Sequence, residues 1–248
     1  MPVRRGVVYE YQETDSNTAG LLVLSNDDWN DTMSGAVVVP LRIPETVPFP
    51  DFHPSLRING QSLMIMAGRL LDWKKEELGA PMLAVEDELM DCVEDALVDI
   101  LSLKYLCVSP PVFPASPSGI TNYPRWGEIY YAGKRIAGER KRYVVVSNDF
   151  WNKATGTAIA VRTTSQTRKG GSHFPSIQQG AARACCGNVT TYRVTSFSLR
   201  GTDRPAPSRL NLTDMSAVAK GLVEVLLLDR ALRRNLDTDN ALDPPAEL

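Results

Sequence analysis

Tyr143 to Asn152 reads YVVVSNDFWN, and Leu21 to Asn30 reads LLVLSNDDWN. The two stretches match at six of ten positions and lie 122 residues apart. In each, an aliphatic, β-branched run of the kind that forms a strand buried on both faces halts at Ser-Asn-Asp. Those short polar side chains bond to nearby backbone and interrupt regular structure. The flanks extend the match. Gly6-Val7-Val8-Tyr9 precedes the first copy, and Gly127-Glu128-Ile129-Tyr130 precedes the second. Ser34–Val39, SGAVVV, follows the first, and Thr155–Val161, TGTAIAV, follows the second. Each half then closes on apolar residues at helical spacing. These are Leu89, Val93, Ala96, Leu97, Ile100 and Leu101 in one half, and Met215, Val218, Ala219, Leu222, Val225 and Leu226 in the other. The chain therefore reads as a duplication of strands followed by a long helix.

The expected organisation is an acidic domain over residues 1–106, a Pro/Ser-rich linker over 107–123, a basic domain over 124–234 and a disordered acidic tail over 235–248. Each domain is long enough to bury its own core. The net charge of −2 conceals an asymmetry. Residues 1–106 hold 8 Lys and Arg against 18 Asp and Glu, whereas residues 107–234 hold 19 against 7. Charge opposition of this kind implies attraction between the halves, and a basic half also implies a polyanionic partner. No apolar run is long enough to span a bilayer, and MPVRRGVVYEY has no signal-like apolar core. A cytoplasmic protein is expected. The four cysteines form no CxxC pair and only two histidines occur, a poor supply of metal ligands. No cofactor is expected.

Local patterns predict strands over 4–12, 20–25, 35–42 and 62–68, with the proline-rich 43–60 as loop or edge. DWKKEEL at 72–78 reads as a short surface helix, and Glu86-Asp87-Glu88 as the start of the long one. In the second half, residues 137–142 read as a basic loop, 162–171 as a strand end and polar loop, and 187–197 as a later strand. Thr213 is the expected cap of the final helix, with Arg230, Arg233 and Arg234 at its carboxyl end.

The order RRGVVY or RWGEIY, then a hydrophobic strand ending in SND-x-W-N, then TG-x-AIAV-x-TT, resembles the MazF/PemK toxin family, which shares its fold with the CcdB gyrase poisons. The resemblance implies a mainly β fold with α, a small SH3-like barrel with a carboxyl-terminal helix, present twice as an intrachain pseudo-dimer in a monomeric protein. It also implies a metal-independent endoribonuclease acting on single-stranded RNA, with a cognate antitoxin protein as possible partner. The family pairs an arginine before the SND strand, which stabilises charge at phosphorus, with a threonine at the end of the next strand. The threonine position falls on Thr164 and the arginine position on Lys141, with Arg142 one step later; either cation can fill the role. The matching residues of the first half, Ala19 and Arg42, imply that it is inactive. Arg140, Arg162, Thr163, Ser165, Arg168, Lys169, His173 and Arg193 make up the expected RNA-binding surface. His173 could serve as a general acid or be an ordinary loop histidine. A non-catalytic module that binds nucleic acid or protein is the alternative reading.

Overall fold

The computed structural model describes residues 2–11, 17–44, 46–47, 49–104, 123–136, 139–165, 171–198 and 207–242. Two antiparallel, curled sheets carry the fold, one from each half. The first contains β1 (Val7–Tyr11), β2 (Thr18–Val23), β3 (Gly35–Arg42), β4 (Ser55–Ile58), β5 (Gln61–Ile65), β6 (Leu71–Lys74) and β7 (Leu78–Ala84). Its strand order is β4-β5-β3-β2-β1-β7, with β6 also paired to β3. The second contains β8 (Glu128–Ile136), β9 (Glu139–Val145), β10 (Thr157–Thr164), β11 (Ser176–Ile177), β12 (Ala182–Arg193) and β13 (Ser208–Arg209), in the order β11-β12-β10-β9-β8-β13. The helices are α1 (Asp27–Thr32), α2 (Asp87–Ile100), α3 (Asp149–Thr155), α4 (Leu212–Leu226) and α5 (Asp229–Leu242). None among the described residues is long and apolar enough to cross a membrane.

The sheets correspond strand for strand. Ala36 pairs with Trp73 on the β3–β6 ladder, and Ala158 pairs with Tyr192 on β10–β12. A 3-10 turn follows each partner strand, Lys75–Glu77 in one half and Val194–Ser196 in the other. The long β12 does the work that β5 and β6 share in the first half, and it shifts register between Val161 and Arg162.

The repeated motif explains why the halves come together. Ser25 is wholly buried and its hydroxyl accepts from Val37 N at 2.9 Å while donating to Asn30 Oδ1 at 2.6 Å. Ser147 accepts likewise from Ile159 N at 2.8 Å and donates to Asn152. Asn26 Oδ1 caps α1 by accepting Trp29 N, and Asn148 Oδ1 caps α3 by accepting Trp151 N. The other ends of the two asparagines cross the seam. Asn26 N and Nδ2 donate to Val225 O and Glu224 O, 2.8 and 2.7 Å away, at the carboxyl end of α4. Asn148 N and Nδ2 donate to Ile100 O and Asp99 O, both at 2.9 Å, at the end of α2. The tryptophans cross as well. Trp29 lies over Gly187 and beside Phe174, and Trp151 lies over Gly68 and beside Phe49 and Phe52. A Cβ at Gly187 would stand 1.9 Å from Trp29, and one at Gly68 would stand 2.0 Å from Trp151, so only glycine admits either ring. One large apolar cluster consequently draws residues from both halves.

Charge closes the joint on one side. Arg234 on α5 bonds Asp91 and Asp95 on α2 at 2.9 and 3.0 Å, and Arg230 reaches Asp91 at 3.3 Å. Residues expected to be a disordered tail therefore continue a helix to Leu242, because Asn235 bonds Asp95 and Leu236 packs on the core. The expected domain boundary at 234 falls inside that helix. Residues 72–78 are not a helix either. Trp73 and Leu71 pack with Tyr9, so sheet pairing overrides local propensity and leaves only the 3-10 turn. Asn211, not Thr213, caps α4 by accepting Asp214 N at 2.8 Å. The strand expected at 187–197 begins at Ala182 and stops at Arg193. The linker expected at 107–123 lies, apart from Tyr123, outside the described residues, as do residues 243–248.

Trp29→Ala should cost about 3–5 kcal/mol of stability, as buried aromatic truncations do. Gly187→Ala should lower the urea midpoint as well, through its clash with the same ring. Unchanged midpoints in both variants would mean that the halves fold without this joint.

Candidate functional site

Alternation along the strands sorts the candidate residues onto two faces. On β9, Lys141 pairs with the buried Ala132 and shares a face with Tyr143. Arg142, one step on, falls on the opposite face with Val144, which belongs to the large core. On β10, Thr163 is buried and donates to Arg142 O at 3.3 Å, whereas Arg162 and Thr164 alternate with it onto the Lys141 face. Lys141 and Thr164 sit two residues beyond the Tyr143–Arg162 pair, at the same end of the antiparallel ladder. The structure thus groups Lys141, Arg162 and Thr164 and separates them from Arg142 and Thr163. Lys141 and Arg142 also lie within a strand rather than in the expected basic loop, because β8 extends far enough to pair with both.

Other expected residues scatter. Ser165 is exposed just past β10. Arg193 pairs with Thr157 at the far end of β10, roughly 23 Å of strand away from Thr164. Arg168 and Lys169 lie outside the described residues, as does the side chain of Arg140. His173 meets Trp29 edge-on with centroids 5.5 Å apart, and its Nδ1 is 3.7 Å from Glu224. His53 meets Trp151 at 6.0 Å in the same fashion. Both histidines therefore brace the tryptophans at the seam, and His173 is not grouped with Lys141 and Thr164.

The seam brings in residues that the motif did not reveal. Asp72, from β6 of the acidic half, accepts a hydrogen bond from Asn188 Nδ2 of the basic half. Burial pushes the Asp72 carboxyl above its usual range, while Asn188 and then Arg162 pull it back down. Tyr192 stacks edge-on against Tyr143 at 5.2 Å, and burial, followed by its bond to Tyr143, raises its hydroxyl pKa. Asp72 of one half and Arg162 and Tyr192 of the other therefore share one neighbourhood, with Lys141 and Thr164 further along the Arg162 face. Such a set can hold an anion and move a proton. The ladder registers place Trp73 and Tyr192 at corresponding positions, which makes Asp72 the counterpart of Thr191.

No protein-family model matches the chain, and no curated protein does. Among solved structures, an endoribonuclease from a mycobacterial species aligns with 40% of this chain and 89% of its own, at 21% identity and a TM-score of 0.34. An endoribonuclease in complex with its cognate antitoxin, also mycobacterial, aligns with 39% of this chain and 90% of its own, at 21% identity and a TM-score of 0.33.

His53 is 6% exposed, and burial lowers its pKa below the ordinary value, an effect that Arg69 reinforces and the Ile65 backbone bond opposes. The folded state thus binds the proton less well than the unfolded chain. Stability from this site is complete above about pH 6.5 and declines as the pH falls below it. Urea unfolding across pH 5 to 8 should show the decline, and His53→Phe should flatten it. An equal slope in the variant would assign the dependence elsewhere.

Proposed function

We propose that this protein is a toxin-like, metal-independent endoribonuclease that cuts single-stranded RNA at one composite site, centred on the basic half. The observation that carries the reading is the common face of Lys141, Arg162 and Thr164, with Arg162 in electrostatic reach of Asp72 of the other half. It is joined by the MazF/PemK-like order of the repeated motifs. In the proposed reaction the ribose 2′-oxygen attacks the adjacent phosphorus and the 5′-oxygen leaves. The proton of the 2′-hydroxyl passes to a base and the departing oxygen gains one, leaving a 2′,3′-cyclic phosphate and a 5′-hydroxyl. Lys141 and Arg162 neutralise the charge that builds on the phosphoryl oxygens, where a placed donor is worth on the order of a hundredfold in rate. Thr164 positions the attacking hydroxyl. Asp72, a carboxyl whose pKa burial raises above the ordinary carboxylate range, is the proposed proton carrier. Arg142, turned towards the core, has a packing role.

The first half lacks the pair, with Ala19 and Arg42 in the corresponding places. Its contribution is Asp72 and the wall of the site. An antitoxin protein is the proposed regulator, and the cytoplasm the proposed setting. The lysine standing where the family has arginine favours a second reading, RNA binding without cleavage, because an ammonium lacks the bidentate fork.

Incubation of the purified chain with a long single-stranded RNA tests the proposal. Thr164→Ala and Lys141→Ala should each slow cutting by about a hundredfold, while Arg42→Ala leaves it unchanged. A 2′-deoxy residue at the cut site should block cleavage, and magnesium should be dispensable. Cutting of the 2′-deoxy substrate overturns the mechanism. Binding without any cutting selects the second reading.

A further inference from the structure

The composite site has a counterpart across the approximate twofold, and that counterpart is an open cleft of about 220 Å³. Both halves line it, with Tyr11, Arg69 and Trp73 from the first and Thr191, Tyr192 and Arg193 from the second among its walls. The ladder registers that pair Ala36 with Trp73 and Ala158 with Tyr192 define how the two places correspond. Asp72 is replaced by Thr191, Asn188 by Arg69, and Arg162 by Pro40. The carboxyl that could move a proton is gone, and an arginine has come in where the other site has an amide.

Among the described residues the lining has two arginines and no carboxylate, although the half that supplies Arg69 holds 18 acidic residues against 8 basic ones. Arg69 and Arg193 are both exposed. Aromatic rings share the lining: Trp73 is tilted 55° to Tyr11 with centroids 5.7 Å apart, and Tyr192 stands on the other half. Guanidinium groups recognise phosphate, and aromatic faces accept any base, which is the combination that holds single strands without reading their sequence. The volume is below the roughly 300–1,000 Å³ of drug-sized sites, a scale suited to a base or a phosphate rather than a larger ligand.

We propose that this cleft is a non-catalytic subsite for single-stranded RNA, holding a phosphate at Arg69 and Arg193 and a base against Trp73 or Tyr192. It deepens the RNA-directed reading above and rests on it for the class of ligand. The duplication would then have yielded one place that cuts and one that holds the same strand.

Binding of a short 2′-O-methyl oligoribonucleotide, which cannot be cleaved by 2′-hydroxyl attack, separates the two claims. Ultraviolet cross-linking followed by peptide mapping should label Trp73. The double variant Arg69→Ala/Arg193→Ala should weaken binding about tenfold or more and flatten the dependence of log affinity on log salt by about 0.7, the share of one phosphate contact on a single strand. Arg193→Glu alone, at an exposed strand end, should weaken it too. Arg57→Ala, an exposed arginine on β4 away from the cleft, should bind the oligonucleotide as the parent does. Unaltered affinity and salt slope in the arginine variants, cross-links confined to other residues, or preference for an acidic peptide over the oligonucleotide would each overturn the subsite. Loss of cleavage claims alone, with this binding pattern intact, would leave it standing.

Discussion

Two asparagine side chains, Asn26 and Asn148, connect everything else. Each has an oxygen that caps its own short helix and a nitrogen that reaches the last carbonyls of the long helix in the other half. The final carbonyls of a helix have no partner within it, and leaving them buried without one is costly. Neither half can meet that need alone. The glycines under Trp29 and Trp151 impose the same dependence in apolar terms, because each ring fills space on the opposite half. The halves have separate sheets but a common core, so the chain is one folding unit rather than two beads on a linker.

That joint uses backbone groups and small residues, and this explains what the two copies retained. Ser, Asn, Trp and the second Asn of the motif are each engaged in the same way in both halves. Asp27 and Asp149 follow suit, accepting from Arg5 N and Trp126 N at 2.8 and 2.7 Å. Side chains that face the clefts are under no such restraint, and there the copies have separated. One place keeps the Asp72 carboxyl near Arg162, and its counterpart keeps arginines and aromatic rings. The opposite charges of α2 and α5 belong to the same divergence, since Arg230 and Arg234 make sense only against Asp91 and Asp95.

Much of the architecture was legible because it is local. The strand runs, the break at Ser-Asn-Asp and the helical stripes ending in Ile100 and Leu226 are patterns of period two and 3.6. The misreadings were where distant residues decide. DWKKEEL has good helix formers, but Trp73 is claimed by a strand pairing with Ala36. The acidic tail has the composition of a disordered segment up to the point where Arg234 and Asn235 meet α2.

The sequence by itself showed a motif that occurs twice, strands followed by a helical stripe in each half, and halves of opposite charge, since repetition, periodicity and composition survive in one dimension. Which of Lys141 and Arg142 faces the site was decided only by the ladder, because a single step along a strand reverses the side chain. The partnership of Asp72 with Asn188, and of Arg69 with Arg193, was decided only by tertiary structure. Those residues lie well over a hundred positions apart, and what joins them is the packing of two tryptophans over two glycines.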